Sequence, residues 1–197
     1  MLTLRRGTLR RGDENFFASA KLPMQLRVSP VCGAGFENPL FPEYNLLHAI
    51  ERGHAVVMVA GGSQGLGPLR AALEWPNMSS HSDKHPVTLF YLHAQDQESA
   101  AYIQEWDEWR AGGAKVVPCY GDFEQDLFKI QETLVTGGAQ FGGNFETVLG
   151  LDPKEVTILL AGLTPEETRT VLQIFSTNKQ VPKEQILVIP DFAIKKK

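Results

Sequence analysis

An uninterrupted apolar run, Val56-Val57-Met58-Val59-Ala60, passes directly into Gly61-Gly62-Ser63-Gln64-Gly65-Leu66-Gly67-Pro68. A strand built from that run has no polar face, so it must be covered on both sides, as strands of a parallel sheet are. The glycine-rich stretch then brings bare backbone N–H groups to the start of a helix, where an anion can dock. The two features together direct the chain toward an α/β layout and point to a nucleotide site.

The rest of the chain repeats this strand-then-helix rhythm. Strands are expected at Ala55–Ala60, Val87–Leu92, Lys115–Tyr120, Val156–Ala161 and Gln185–Ile189, and helices at Gly67–Trp75, Glu98–Ala111, Phe123–Thr136 and Pro165–Asn178. Thr164, Pro165 and Glu167 spell a helix start: an N-cap hydroxyl, proline at the first helical position and the acid of a capping box. Gly112-Gly113 marks a helix stop. Tyr102, Trp106 and Trp109 share one helical face, more in keeping with a core stripe than a ligand platform. Residues 12–54 read as irregular, with a short strand at Gln25–Ser29, a turn at Gly33–Phe36 and a short helix over Asn45–Arg52. Gly137–Gly150 reads as a flexible loop. The expected architecture is a doubly wound, mostly parallel five-stranded sheet with helices on both faces.

Charge and composition narrow the function. The net charge of −4 is unevenly spread: Arg5, Arg6, Arg10, Arg11, Lys195, Lys196 and Lys197 account for seven of 19 Lys and Arg residues, leaving 12 against 23 acids in the body. An acidic body is a poor general nucleic-acid binder, because phosphate contacts dominate that affinity. No apolar run is long enough to span a membrane. Cys32 and Cys119 fit no metal spacing and read as buried free thiols, with a disulfide as the alternative, and the five histidines form no ligand cluster. Residues 1–11 are Arg-rich, hydroxyl-bearing and acid-free, as mitochondrial and plastid targeting segments are. The same basic arm is a candidate contact with partner subunits.

The order of elements resembles the nucleotide-binding domain of the ferredoxin–NADP reductase family. Gly61-Gly62-Ser63-Gln64-Gly65-Leu66-Gly67-Pro68 is similar to the family's G-x-G-T-G-I-A-P turn. Val28-Ser29-Pro30-Val31-Cys32-Gly33-Ala34-Gly35-Phe36 looks like its exit from the flavin-binding barrel. Leu89-Phe90-Tyr91 and Lys115-Val116-Val117-Pro118 resemble its next β-α-β unit, Leu159-Leu160-Ala161-Gly162 resembles its late C-G-P segment, and Phe192 its closing aromatic. The resemblance implies a basic extension over 1–25, a linker remnant over 26–54, the nucleotide-binding domain over 55–192 and a basic tail over 193–197. It also implies an NADP(H) or NAD(H) site drawn from Gly61, Gly62, Ser63, Gln64, Gly65, Pro68, His93, Ala161 and Gly162.

The departures from that family concern its chemistry. Gln64 stands where the family places a phosphate-contacting Thr, and Ser63 where it places Gly. Ala161 replaces the cysteine that lies against the nicotinamide, Leu163 replaces proline, and Leu92-His93-Ala94 replaces Gly-x-Arg. The family's flavin motif, Arg-x-Tyr-Ser/Thr, is absent, and 54 residues before the first sheet strand are too few for a barrel of about 100 residues. No flavin is therefore expected on this chain, and the cofactor supplies the difficult chemistry. The resulting expectation is a non-catalytic accessory subunit of an organellar electron-transport assembly, with the mitochondrial respiratory chain ahead of a plastid complex. The alternatives are an NAD(P)H-binding oxidoreductase module served by another chain's flavin, and a nucleotide sensor. Gly61-Gly62-Ser63-Gln64-Gly65 also fits G-x-S-x-G, but a nucleophile elbow needs a later histidine and none follows His93.

Overall fold

The computed structural model describes residues 36–38, 41–93, 96, 100–139 and 151–189, all within the second of two compact units, Phe36–Lys197. A short antiparallel ladder, β1 (Glu37–Asn38) with β2 (Phe41–Asn45), leads into α1 (Leu46–Glu51). Then come β3 (Ala55–Gly61), α2 (Gly62–Leu73), α3 (Pro76–Ser82) and β4 (Val87–Leu92). They are followed by α4 (Trp106–Ala111), β5 (Ala114–Pro118), α5 (Phe123–Ala139), β6 (Val156–Ala161), α6 (Pro165–Gln173) and β7 (Ile186–Ile189).

Five of these strands make one all-parallel sheet in the order β5-β4-β3-β6-β7. The expected α/β sheet is what the chain forms. Its first strand, β3, lies in the middle, and the chain winds outward from it first to one side and then to the other. The reversal falls between β3 and β6. In open sheets of this kind, ligands bind beyond the carboxyl ends of the strands at that point.

Alternation along β3 divides the core into two layers. Val56, Met58 and Ala60 face α1 to α4 and meet Leu46, Ala49, Leu66, Leu69, Met78, Trp106 and Trp109. Val57 and Val59 face α5 and α6 and meet Leu127, Ile130, Val171 and Phe175. Every residue of β3, β4 and β6 is buried, and each large apolar side chain so placed contributes about 1.5–3 kcal/mol relative to exposure. Helices therefore cover both faces, and the unbroken apolar strands are the reason.

Several boundaries differ from expectation. The helix after β3 begins at Gly62, not Gly67, because Gly62 adopts φ +62 and turns the chain from strand to helix in one residue. Helix α4 is short, preceded by a single 3₁₀ turn at Ile103–Glu105, and Tyr102 sits before it at φ +57, packed half-buried against the same core layer as Trp106 and Trp109. Gly137 and Gly138 prolong α5 to Ala139, and residues 140–150 lie outside the described residues. The last helix ends at Gln173 and passes into a π-helical turn, Ile174–Asn178. The β1–β2 ladder occupies part of the stretch expected to be irregular. The expected strand at 25–29 lies outside the described residues.

A buried polar cluster ties β2 to the amino-terminal edge of the sheet. Tyr44 Oη lies 2.7 Å from Thr157 Oγ1 and 3.1 Å from His54 Nδ1. Gln185 Nε2 donates to the carbonyls of Lys154 and Val156 at 2.8 and 3.0 Å and stands 3.1 Å from His54 Nδ1. Two carbonyl partners fix Nε2 as the donor end of that amide and account for both of its hydrogens. His81 Nε2 in turn donates to the His54 carbonyl at 2.7 Å. Burial, with Arg52 adding, lowers the His54 pKa, and burial lowers that of His81.

Both depressed values have one consequence. The unfolded chain takes up protons first as pH falls, so stability is full above about 6.5 and declines below it until the folded rings titrate. Urea unfolding is expected to show a lower midpoint at about pH 5 than at about pH 7.5, with His54→Gln flattening the difference. Equal slopes for the two proteins would contradict this assignment.

Candidate functional site at the carboxyl edge of the sheet

The glycine-rich stretch lies at the β3–β6 reversal. Gly61 closes β3 and is the N-cap of α2 (φ −81, ψ 95), with no side-chain capping bond. Helix α6 offers a contrast. There Thr164 Oγ1 accepts from the Glu167 N–H at 3.3 Å and Glu167 Oε2 accepts from the Thr164 N–H at 2.8 Å. The first turn of α2 thus keeps N–H donors that a capping side chain would otherwise occupy. Gly62 has open space where a Cβ would stand. Pro68, inside α2, cannot donate to the carbonyl four residues before it, that of Gln64.

Three other glycines are committed to packing. A Cβ on Gly61 would collide with the Gly162 carbonyl, one on Gly65 with the Ala161 carbonyl, and one on Gly162 with the backbone of Gly65. Gly162 also holds φ +70, a region that L side chains rarely adopt. The start of α2 therefore rests backbone to backbone on the end of β6. Gly61, Gly65, Ala161 and Gly162 come together, and Gly62, Ser63 and Gln64 lie half-buried in the first turn beside them. Pro68 sits a turn further along the helix.

His93 belongs to a different set of contacts. It follows β4 at φ +60, with its N–H donating to Asp126 Oδ2 at 3.1 Å. Its Nε2 lies 2.9 Å from Glu167 Oε1, and its ring stacks on Phe123 at 6.0 Å. Strands β4 and β6 flank β3, so this imidazole–carboxylate pair joins the segments that follow the two neighbours of the central strand. Glu167 serves both the capping box and the imidazole.

Asp126 was not legible as a site residue, although one signal existed. It sits between Phe123 and Leu127–Ile130, on the inward side of α5, where a carboxylate is out of place. It is 1% exposed, and its second oxygen, Oδ1, accepts from the Gly121 N–H at 3.0 Å. It thereby fixes the turns after β4 and β5. Nearby, Cys119 is a buried free thiol, pushed up to about 12 by burial and by the Asp126 charge against the pull of Lys129. A thiol held so firmly protonated is inert as a nucleophile. The end of β6 offers only Ala161 and Leu163, 1% and 4% exposed. Among the described residues there is no group of three or more metal-ligating side chains. No described helix is long and apolar enough to cross a membrane.

Comparison of the chain with family models, curated proteins and solved structures found no match. Fold and site together define the class: an open, doubly wound α/β domain with a five-stranded all-parallel sheet and a glycine-built strand–helix junction at its switch point.

The packing has a direct test. Gly65→Ala places a methyl against an immobile carbonyl, and is expected to cost about 3 kcal/mol or more, at the upper end of overpacking penalties. Gly62→Ala meets open space, so its cost is limited to its positive φ, about 1–2 kcal/mol. Urea unfolding of the two variants checks the order, and equal losses would refute it.

Proposed function

We propose that this chain is a ferredoxin–NADP reductase-like nucleotide-binding domain that does not itself transfer hydride, and that it serves as an accessory subunit of an organellar electron-transport assembly. The observation that carries the first half is the chemistry of the carboxyl edge. Where β6 ends, the side chains are those of Ala161 and Leu163, and the nearby imidazole of His93 is held by Glu167. The buried thiol of Cys119 is held protonated. Neither the apolar end of β6 nor the protonated thiol offers a group for hydride or proton transfer at the switch point. The electron-transport setting and the mitochondrial address, with a plastid as the alternative, rest on the family resemblance and on the basic residues 1–11, which we assign to contact with a partner subunit.

One observation favours a second reading, in which NADPH or NADH still binds without turnover. The first turn of α2 is uncapped and Gly62 leaves room above it. A helix N-terminus contributes about 0.3–1 kcal/mol toward an anion at an exposed site. Micromolar affinity needs about 8 kcal/mol, so the side chains of Ser63, Gln64 and His93 would have to supply part of the remainder.

Calorimetric titration of NADPH and NADH into the purified chain, with an absorbance scan for flavin and a test of NADPH oxidation by ferricyanide, separates these readings. The proposal expects no NADPH oxidation and no flavin absorbance. Binding without oxidation selects the sensor, and oxidation by the purified chain overturns the proposal. Deleting residues 1–11 is expected to abolish co-purification with partner subunits while leaving the unfolding midpoint unchanged; retained association would remove the role assigned to the arm.

A further inference from the structure

The opposite edge of the sheet carries a second concavity, unrelated to the glycine junction. It is a cleft of about 320 Å³ between α1 and the end of α3, lined by Ile50, Asn77, Ser80, His81, Lys84 and His85. Asn77, Ser80, His81 and Lys84 are spaced at i, i+3, i+4 and i+7, so they share one side of α3 and its following turn. Asn77, Lys84 and His85 supply the hydrogen-bond donors, since Ser80 Oγ already donates to the Pro76 carbonyl at 3.1 Å, and no lining side chain carries a fixed negative charge. On a chain with net charge −4, a cleft of this composition is an exception.

The imidazoles are held in place before any ligand arrives. The His85 ring stacks on His81 with centroids 4.7 Å apart and planes 23° from parallel. Gly53, at φ +71, also lies against the His85 ring, where a Cβ would come within 2.8 Å of His85 Cε1. Only glycine lets that ring seat as it does. His81 is anchored through Nε2 on the His54 carbonyl, which leaves Nδ1 as its remaining polar atom. The backbone N–H groups of Lys84 and His85 both donate to the His81 carbonyl, at 3.0 and 2.9 Å, and so fix the turn that carries Lys84. Lys84 itself is exposed and extends from that turn.

We infer that this cleft is an oxyanion site, which takes a phosphate group between the Lys84 ammonium, the His85 imidazole and the Asn77 side chain. A tetrahedral dianion matches the chemistry: one cation, an imidazole and the Asn77 amide line the cleft. At about 320 Å³ the cleft stands at the lower end of small-molecule pockets, about 300–1,000 Å³, with room for a phosphate and a small attached group. The phosphate is either free in solution, as an ion or a small phosphomonoester, or the headgroup of an anionic lipid.

The test uses inorganic phosphate as the probe and the full chain, following the ring resonances of His81 and His85 by NMR. Saturable shifts in both rings are expected. Lys84→Ala, an exposed substitution, should weaken binding about tenfold, the equivalent of one charge-assisted hydrogen bond. Lys84→Arg should restore most of it, and the unfolding midpoint without phosphate should not move in either variant. Flotation with phosphatidylcholine vesicles, with and without phosphatidic acid, assigns the source. Lys84-dependent binding to the phosphatidic acid vesicles selects the headgroup, and its absence alongside saturable phosphate binding selects the soluble ligand. Non-saturable shifts, or shifts that Lys84→Ala leaves unchanged, overturn the inference.

Discussion

The structure depends on a contact without side chains. At the carboxyl edge of the central strand, Gly61 and Gly65 rest on the carbonyls of Gly162 and Ala161. This contact sets how closely α2 approaches β6, and thereby how α2 closes the layer over Met58, Leu159 and Ala161. An alkyl group at Gly61, Gly65 or Gly162 would push helix and strand apart, and the apolar contacts of Leu66 and Leu69 would open with them. Close helix–strand packing is one of the uses of glycine in such junctions; close approach of backbone to a phosphate is another. In this chain the first use is plain at three of the glycines, Gly61, Gly65 and Gly162. The second rests on Gly62 and the uncapped N–H groups around it.

That division explains why the fold was legible in the sequence and the site was less so. Unbroken apolar runs at 56–60, 87–92 and 156–161 require cover on both faces, and the structure supplies it. The capping box at Thr164–Glu167 was readable because its partners lie three residues apart. The helix start at Gly62 was misplaced by five residues because the same glycines that suggest a turn also permit a one-residue reversal at positive φ. The π-helical turn after Gln173 and the β1–β2 ladder had no local signature: the first is a hydrogen-bond slip, and the second pairs through the backbone.

The residues that organise the two edges are long-range partners, which periodicity does not report. His93 stood out as a departure from a family pattern, yet its grip comes from Asp126, Glu167 and Phe123 on two helices distant in sequence. The cluster of Tyr44, His54, Thr157 and Gln185 spans 141 positions of the chain, and nothing about any one of those residues marks it as buried. Buried polar groups of this kind are costly unless paired. Their completeness at both edges fixes the ends of the strands as firmly as the apolar layers fix the middle. Electrostatics then differ between the edges: Asp126 and Glu167 serve the carboxyl edge, while Lys84 and the His81–His85 pair face the other.

Native-state hydrogen exchange tests the central claim most directly, since it reads the opening energy of each element separately. If the glycine contact joins α2 to the sheet, the helical amides of Leu66 and Leu69 exchange only through the opening that also releases Met58 in β3 and Leu159 in β6. All four then show one free energy and one denaturant dependence. Exchange of Leu66 and Leu69 through a smaller opening, with Met58 and Leu159 still protected, would show that α2 detaches alone and would contradict the account.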